Sequence, residues 1–366
     1  MGERASKTVR LDPEQLDRAF RLVERHVREG RIPGAVLAIG DLGGEIRSEA
    51  YPPPDGPPLT TASRFLVASI TKPVVATAVM QLVEEGLLVL HDPVQRYLPE
   101  FAPPPAAERS PGGEAVTTWH LLTHSAGLAD TPLEMDAGTR ASAEELYDLV
   151  CRRPLAFAPG TEYRYCSDSF FVLGRLIETL GGGRPYPDYL RERIFEPLGM
   201  PATSFEPGAA DDPHRAPGFW EGLDGPLPQE LIEGFAAMKH PGGGLWSTAP
   251  DLLRFGRAML NGGSLDAARV LSRPFVELMT REQTAGIFEA GTPPRSPRYA
   301  LGWGKSGLFG DRIGSPSQFD HGGATGTRLW VDPAFGLVAV FLMNRWGAED
   351  HFSVAAIQAV YGALPD

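Results

Sequence analysis

An amine and a hydroxyl stand three residues apart in the stretch "FLVASITKPVVATAVMQLVEEGL", which covers residues 65–87. The hydroxyl belongs to Ser69 and the amine to Lys72. Residues three apart on a helix lie on the same face, so the two side chains are expected to be neighbours. A neutral amine beside a serine hydroxyl activates that hydroxyl as a nucleophile. The alternative is a serine that caps a helix and a lysine whose ammonium group reaches solvent, and the pair alone leaves both interpretations open.

The helix around this pair is expected to be buried. Pro73 is tolerated only in the first turn of a helix, so the helix should begin close to Ser69, and Gly86 suits its end. Because the intervening residues are apolar on all sides, Lys72 should be buried with the helix. Complete burial lowers the pKa of a lysine by up to about 3–5 units. The helix N-terminus would add positive potential and free N–H groups where an oxyanion forms.

Further motifs occur along the chain in a fixed order. The main ones are "PGTEYRYCSDSFFVLGRLIETLGG" and "FDHGGATGTRLWVDP", with "TTWHLLTHSAGL", "IFEPLGMPATSF", "GGGLWSTAPDLLRFGRAMLNGG" and "LGWG" around them. Together with the Ser-x-x-Lys pair, these motifs resemble the serine β-lactamase-like hydrolases. That family includes class C β-lactamases, D-alanyl-D-alanine carboxypeptidases and related esterases. The resemblance runs through most of the chain.

The resemblance implies roles for individual residues. Ser69 matches the acylated serine of the family, and Lys72 matches the lysine of its first motif. Tyr165 matches the tyrosine of the second motif, because its spacing to Gly174 is the family's, and this favours it over the nearby Tyr163. A phenol has a pKa of about 10, so this tyrosine needs an adjacent cation such as Lys72 to act as a base near neutral pH.

The third motif is matched by His321-Gly322-Gly323, which the resemblance places on a strand lining the cleft. The same resemblance implies that the backbone N–H groups of Ser69 and Ala324 form the oxyanion hole. Such a pair of donors would stabilise the negative oxygen of a tetrahedral intermediate.

Two positions depart from the family pattern. Ser167 stands where the second motif usually has asparagine, and it offers a shorter hydroxyl in place of an amide. His321 stands where lysine is common, so the charge available for a substrate carboxylate is weaker and depends on pH. Both departures favour a neutral ester as substrate. Cys166 is interpreted as a small buried thiol beside the site and not as the nucleophile.

The elements around these motifs predict the architecture. "LDPEQLDRAFRLVERHVREG" predicts a helix, and "GAVLAIGD" and "EIRSEAY" predict two strands; near the other end, "GTRLWVDPAFGLVAVFLMN" predicts a hairpin and "DHFSVAAIQAVYGAL" a last helix. We expect one β-lactamase-like domain over residues 1–366, of the α/β plus α class. Its α/β lobe, about 1–68 and 285–366, would be an antiparallel sheet flanked by the terminal helices. A mostly helical lobe, about 69–284, would be inserted, with the site in the cleft between the lobes.

Composition limits the partners. The chain has 366 residues and a formal net charge of -12, and it contains no Lys/Arg-rich block, so nucleic acid is not an expected partner. No run of about 18 apolar residues is present, so no membrane span is expected. The first residues lack the apolar stretch of a secretory signal, and Cys151 and Cys166 lack a metal-binding spacing. A cytoplasmic protein with free thiols is the simplest interpretation. The oligomeric state is not predicted.

Neither a metal nor a cofactor is expected. His120 and His124 stand four apart, as in a zinc protease helix, but Leu121 occupies the position of the required glutamate. The nucleophile elbow of the α/β-hydrolases is also absent, because Thr123 stands where that motif has its first glycine. The run Gly242–Gly244 lacks the lysine and threonine of a phosphate-binding loop, so a tight loop beside the cleft is the better interpretation.

Four aromatic residues have two possible places. Trp246, Trp303, Phe219 and Trp220 would either line a pocket for an acyl group or belong to the core. The sequence leaves these alternatives open.

The function predicted from the sequence is that of a serine hydrolase that cleaves small-molecule carboxylic esters through an acyl-enzyme on Ser69. Three alternatives use the same residues. The first is a D-amino-acid peptidase, an amidase or a β-lactamase. The second is an acyltransferase, in which a bound alcohol or amine replaces water. The third is a sensor that is acylated and does not turn over.

Overall fold

The helices and strands are taken from a computed structural model, which describes residues 8–53, 56, 58–104, 115–131, 142–209, 211–220, 225–289, 297–305, 313–347 and 351–365. Within these ranges the helices are α1 Pro13–Arg28, α2 Thr71–Glu84, α3 Thr118–Leu122, α4 Ala143–Arg152, α5 Ser169–Leu180, α6 Tyr186–Leu190, α7 Glu196–Leu198, α8 Gln229–Ala237, α9 Ala249–Leu260, α10 Arg273–Thr280 and α11 His351–Tyr361. The strands are β1 Ala35–Gly40, β2 Glu45–Tyr51, β3 Phe65–Leu66, β4 Phe219–Trp220, β5 Trp246–Ser247, β6 Ser264–Leu265, β7 Ala268–Arg269, β8 Gly304–Lys305, β9 Phe319–Gly322, β10 Arg328–Asp332, β11 Leu337–Leu342 and β12 Arg345–Trp346.

One antiparallel sheet joins the two ends of the described chain. Its strand order is β2-β1-β11-β10-β9-β8, so β1 lies between its hairpin partner β2 and the late strand β11. In this register Val36 faces Leu342 and Gly40 faces Val338. The predicted hairpin is present as β10 and β11. The prediction that the first and last strands share one sheet is therefore confirmed.

The terminal helices cover one face of this sheet. Asp12 caps α1 by accepting a hydrogen bond from the Gln15 N–H at 2.9 Å, and Pro13 is the first residue of the helix. The apolar faces of α1 and α11 and the strand residues beneath them form one buried cluster. The backbone N–H of Asp12 also donates to the Ala363 carbonyl oxygen at 2.8 Å, which ties the two terminal segments together.

Helix α9 packs against the opposite face, over β1, β10 and β11. The contact passes through Gly256, where a Cβ would lie 2.6 Å from Val338 Cγ1 and 3.1 Å from Leu329 Cδ1. Beyond α9 lies the larger apolar cluster, which includes α2; every residue of α2 from Thr71 to Leu82 is buried. The helical part of the molecule therefore stands on the face of the sheet that α1 and α11 leave free.

The predicted fold class, an antiparallel sheet with flanking terminal helices and an inserted helical part, is confirmed. The boundaries proposed for the two lobes stay a prediction. Among the described residues, no helix has the length and apolarity that crossing a membrane requires. Cys151 and Cys166 are both buried free thiols.

Candidate active site

Ser69 lies in a 3₁₀ turn, Ala68–Ile70, between strand β3 and helix α2. Its side chain is half-buried, so it reaches the surface of the molecule. The preceding residue, Ala68, has a φ of +46°, in the left-handed region that residues other than glycine rarely adopt. The α-helix itself begins at Thr71, so the sequence placed its start correctly to within two residues. The serine therefore sits on a tight strand-to-helix turn.

The loop of residues 323–327 docks against this turn. Thr325 Oγ1 donates to the Leu66 carbonyl oxygen at 2.8 Å, and Thr327 Oγ1 donates to that of Val67 at 3.0 Å. A Cβ at Gly323 would lie 2.2 Å from Thr327 Oγ1 and 2.4 Å from the Val67 oxygen. Only glycine allows the loop to approach this closely, which gives Gly323 a structural reason to be there.

Lys72 is fully buried and has three polar partners. Its Nζ lies 3.0 Å from Ser69 Oγ, 3.0 Å from Ser167 Oγ and 2.7 Å from the Gly242 carbonyl oxygen. Burial lowers the pKa of Lys72 to about 7, and the negative charge of Asp130 opposes this shift. The predicted Ser69–Lys72 contact is present, and the amine is poised between its charged and neutral forms near neutral pH.

Tyr165 is the tyrosine that reaches this pair. Its ring centroid lies 4.7 Å from Lys72 Nζ, and its hydroxyl hydrogen-bonds with Ser69. Burial raises the pKa of Tyr165, while the bond with Ser69 lowers it by a smaller amount. Tyr163 is 4% exposed, and within the described part of the chain its hydroxyl has no hydrogen-bond partner. The geometry therefore favours the same tyrosine as the motif spacing did.

His321 lies on β9 with both ring nitrogens directed at protein groups. Its Nδ1 is 2.8 Å from the Gly322 carbonyl oxygen, and its Nε2 is 2.8 Å from the Tyr299 hydroxyl. A carbonyl oxygen only accepts, so Nδ1 carries a hydrogen, and in the neutral ring Nε2 accepts from Tyr299. The imidazole is 6% exposed. It would have to give up one of these contacts to bind a substrate carboxylate.

Ala324 presents a backbone N–H beside the serine turn. The residue is exposed, and none of the described residues accepts a hydrogen bond from this N–H. Its carbonyl oxygen accepts from the Gly347 N–H at 3.2 Å, which fixes the orientation of the loop. The N–H of Ser69 lies at the start of a helical turn, where such groups lack an intrahelical partner. The two donors predicted for an oxyanion hole are thus on adjoining segments.

A chain of buried groups behind Lys72 was not predicted. His240 Nδ1 accepts from the Gly242 N–H at 2.9 Å, and His240 Nε2 lies 3.7 Å from Asp168 Oδ1. Asp168 Oδ2 accepts from the Thr131 N–H at 2.6 Å and lies 3.6 Å from Arg153 Nη1. Burial raises the pKa of Asp168, but the nearby His240 and the hydrogen bonds from Thr131 outweigh burial and lower that pKa. Of this arrangement the sequence indicates only the tight loop of Gly242–Gly244 beside the cleft.

The two histidines considered as metal ligands have local partners. His120 Nδ1 accepts from the Thr117 N–H at 3.1 Å as part of a helix capping box. His124 Nδ1 accepts from the Cys166 N–H at 3.2 Å, and its ring centroid lies 4.4 Å from that of Tyr165. Within the described ranges, no group of three His, Cys, Asp or Glu side chains is arranged to hold a metal ion.

The four aromatic residues left open by the sequence divide into two pairs. Trp246 is 2% exposed and Trp303 is 0% exposed, so both belong to the core. Phe219 and Trp220, on β4, are half-buried. Only this second pair keeps a surface that a ligand can reach.

Comparison with known proteins adds the family context. The model of the β-lactamase family matches residues 19–363. Penicillin-binding protein 4 of Amycolatopsis lactamdurans is 34% identical over 350 residues, which cover 89% of this chain and 84% of that protein. Esterase EstB of Burkholderia gladioli is 31% identical and covers 95% of this chain and 94% of its own.

Among solved structures, that of EstCE1, described as a hydrolase with promiscuous acyltransferase activity, superimposes with a TM-score of 0.79 at 24% identity. The alignment covers 95% of this chain and 99% of that one, and it shows a shared fold. Every candidate site residue from Ser69 to Ala324 lies inside the stretch that the family model matches.

Proposed function

The chain belongs to the β-lactamase family and is a serine hydrolase, and from that premise we propose that it is a carboxylesterase that forms an acyl-enzyme on Ser69. The observation that carries this proposal is the 3.0 Å contact between Ser69 Oγ and the buried Lys72 amine, whose pKa burial lowers to about 7. A nucleophile and a base within hydrogen-bond distance are what covalent catalysis requires. The similarity to esterase EstB supports the choice of ester as substrate class.

In the proposed acylation step, neutral Lys72 takes the proton of Ser69 while Oγ bonds to the ester carbonyl carbon. The N–H groups of Ser69 and Ala324 stabilise the negative oxygen of the tetrahedral intermediate. When the carbon–oxygen bond to the alcohol breaks, Tyr165 donates its proton to the leaving oxygen. Tyr165 then recovers a proton from the Lys72 ammonium group, so the site ends with a neutral amine and an acylated serine.

In deacylation, water takes the place of the alcohol. Lys72 takes a proton from the water while the water oxygen bonds to the acyl carbon. The bond from that carbon to Ser69 Oγ then breaks, and the serine oxygen recovers the proton. Because burial raises the pKa of Tyr165, its phenol stays protonated and serves as a donor, and the lysine is the base. This assigns the base to Lys72, where the sequence had assigned it to the lysine and tyrosine together.

The polar groups around the pair support a neutral substrate. Both nitrogens of His321 are bonded to protein groups, and the Ser167 hydroxyl accepts from Lys72. The exposed carboxylate of Asp130 lies beside Ser167, whose N–H donates to it at 2.5 Å. A negative charge at this place repels a substrate carboxylate. A peptide or β-lactam with a free carboxylate should therefore be a poor substrate.

The nucleophile is tested by the variant Ser69→Ala. Wild type and variant are incubated with a fluorophosphonate or an activated ester, and the masses of the intact proteins are measured by mass spectrometry. We expect one adduct on the wild type and none on the variant, with unchanged thermal unfolding. An adduct of equal yield on the variant would refute the assignment, and Cys166 would be examined next.

The substrate class is tested by one panel under one condition. The panel contains p-nitrophenyl esters of graded acyl length, nitrocefin, a D-alanyl-D-alanine peptide and a D-amino-acid amide. We expect kcat/KM for the best ester to exceed the others by several powers of ten. Turnover of nitrocefin or the peptide at the rate of the best ester would favour the β-lactamase or peptidase alternative. Acylation without release would favour the sensor or the acyltransferase.

A further inference from the structure

Three half-buried aromatic side chains form one surface, here called the aromatic wall: Trp220, Trp346 and Phe235. The two indole rings are stacked, with centroids 5.6 Å apart and planes inclined by 15°. Phe235 meets Trp346 edge to face at 5.4 Å. The wall joins two strands and a helix that are far apart in sequence, because β4 and β12 pair in parallel and Phe235 lies on α8. Ring pairs of this kind hold one another rigidly.

One end of the aromatic wall is bonded to the predicted oxyanion loop. The N–H of Gly347 donates to the Ala324 carbonyl oxygen at 3.2 Å, and the N–H of Arg345 donates to that of Thr325 at 3.0 Å. Trp346 lies between these two anchoring residues. These bonds tie the backbone of Trp346 to the loop whose N–H group would hold the substrate carbonyl oxygen, and its indole is held by the two ring contacts.

The other end of the aromatic wall reaches the groups behind Lys72. The ring of Phe235 stacks on His240 at 6.5 Å with an inclination of 12°, and His240 binds the N–H of Gly242. The Gly242 carbonyl oxygen accepts from Lys72. At the next residue, Gly243, an added Cβ would meet no atom within 4 Å, so space is open there. The aromatic wall thus runs along the flank of the site from the oxyanion loop to the lysine.

We propose that the aromatic wall binds the acyl chain of the ester substrate and that this subsite favours acyl chains of medium length over short ones. The proposal rests on the proposed esterase function. Flat aromatic faces bury methylene groups without desolvating any charge, and none of the three side chains is charged. Half-buried aromatic residues beside a nucleophile have a reason to stay uncovered if a substrate covers them.

The arrangement of the oxyanion loop assigns the aromatic wall to the acyl side and not to the alcohol. His321, with its partner Tyr299, lies on the strand that leads into the loop, on the flank of Tyr165, which protonates the leaving alcohol in the proposed mechanism. The carbonyl oxygens of Ala324 and Thr325 accept hydrogen bonds from the backbone on either side of Trp346. An ester carbonyl held at Ala324 therefore has its alcohol on the polar flank and its acyl chain on the aromatic one.

The test measures kcat/KM for p-nitrophenyl acetate, butyrate, hexanoate and octanoate, which share one leaving group. Burying a methylene group contributes about a 4-fold gain, so kcat/KM of the wild type should rise by about that factor for each methylene on the wall. In Trp346→Ala and Trp220→Ala the rise should fall below about 2-fold per methylene. Hydrolysis of acetate, which is too short to use the wall, should change by less than about 3-fold. Trp346→Phe should keep most of the dependence on length.

The matched control is Phe335→Ala, which removes a 43% exposed aromatic ring on the turn between β10 and β11. Its dependence on acyl length should equal that of the wild type. The proposal would be overturned if kcat/KM in the tryptophan variants fell by one common factor for all four esters. It would also be overturned if the dependence of kcat/KM on acyl length were unchanged in both variants. If an alanine variant does not fold, Trp220→Leu or Trp346→Leu, which also removes the flat aromatic face, is measured in its place against the same criteria. Failure of the wild type to form an adduct on Ser69 would instead refute the esterase function itself, so the two failures are distinguishable.

Discussion

At the scale of single residues, the three partners of Lys72 fit both of its protonation states. The neutral amine has two N–H groups and one lone pair. The Gly242 carbonyl oxygen only accepts, so one N–H must point to it, and the other points to Ser167 Oγ. The lone pair then faces Ser69 Oγ, whose hydroxyl becomes the donor. Deprotonation of the lysine therefore reverses the direction of the Ser69–Lys72 hydrogen bond without moving a heavy atom.

This reversal predicts how activity depends on pH. Because burial lowers the pKa of Lys72 to about 7, the neutral fraction of the amine rises as pH rises through that value. We expect kcat/KM for a neutral ester to increase from about pH 5 and to level off above about pH 8. Burial raises the pKa of Tyr165, so its phenol stays a donor across this range. A profile that is flat, or that falls with pH, would contradict the assignment of the lysine as base.

A second prediction concerns Asp130, whose negative charge favours the charged form of Lys72. The variant Asp130→Asn keeps an oxygen that can accept from the N–H groups of Ser167 and Asp168 but removes the charge. The pKa of the lysine should fall further, so the rising limb of the pH profile should move to lower pH. The matched control is Asp148→Asn, at an exposed position on α4, which should leave the limb in place. A limb that moves to higher pH in Asp130→Asn would show that the charge acts on another group.

The sequence points to those candidate site residues that belong to motifs. Ser69 and Lys72 are three apart, and Tyr165 keeps a recognisable spacing to the helix that follows it. Gly242 was not assigned a role, because its contact with Lys72 joins positions 170 apart and is made by a backbone oxygen, which leaves no mark in residue type. Tyr299 was missed for a similar reason, since its contact with His321 depends on how two segments pack.

At the scale of elements, the candidate site lies where the turn Ala68–Ile70 contacts the loop of residues 323–327. The turn at Ala68 holds a backbone conformation that is costly for alanine, by about 1–3 kcal/mol, and it persists because neighbouring groups determine it. Thr325 and Thr327 supply two of those groups through their bonds to the strand that enters the turn. The serine and the exposed N–H of Ala324 are therefore positioned by the same set of contacts.

The variant Gly323→Ala tests this coupling. The added methyl group would lie 2.4 Å from the Val67 oxygen and 2.2 Å from Thr327 Oγ1, so the loop must move away from the turn. We expect kcat to fall by about 10²–10³-fold, the range for losing one oxyanion donor. Steady-state kinetics on one ester, with circular dichroism to verify folding, measures the effect. Gly234→Ala, where nothing lies within 4 Å of the new methyl group, is the control. A near-normal kcat in Gly323→Ala would contradict the coupling of the loop to the turn.

Helix ends were predictable, whereas short and irregular elements were not. Asp12 with Pro13 and the capping box of Ser142 with Glu145 lie where their residue types predict helix starts. The π-helical segment Arg191–Phe195 has no such signal. Strands β4 and β12 have two residues each, too few to show a period, and their parallel pairing is imposed by the packing of distant segments. For this reason the sequence offered Trp220 as one candidate for an acyl pocket but did not predict that it stacks on Trp346.

At the scale of the whole molecule, the position of α9 on the sheet depends on a glycine. We predict that Gly256→Ala lowers the free energy of unfolding by about 1–3 kcal/mol, the usual cost of overpacking, because its Cβ would lie 2.6 Å from Val338 Cγ1. The same change at Gly234 in α8 meets open space and should raise stability by about 0.5–1 kcal/mol, since alanine is the better helix former. Urea unfolding of both variants measures the difference. Equal stabilities would mean that the helix can slide on the sheet at little cost.

The architecture was predictable because its signals come in pairs at the two ends. Strand-like stretches near residues 35–51 and 326–344, each beside a terminal helix, indicated one shared sheet, and the sheet has that form. The strand order was not predictable, because the alternation of apolar and polar residues identifies a strand but does not show which strands pair with it. The two-residue strand β8 at the edge, Gly304–Lys305, gives too short a pattern to detect.

The pairing of β1 with β11 also decides when this protein is able to fold during its synthesis. Ala35–Gly40 leaves the ribosome well before its partner Leu337–Leu342, because the whole helical part lies between the two strands in the chain. Every residue of β1 is buried in the finished sheet, so the nascent chain carries an apolar, half-paired strand while the residues between β1 and β11 are made. The helical part in between is complete sooner and can assemble first. Production of the protein should therefore depend on how well the growing chain is shielded, by chaperones or by rapid elongation, until the last strand closes the sheet.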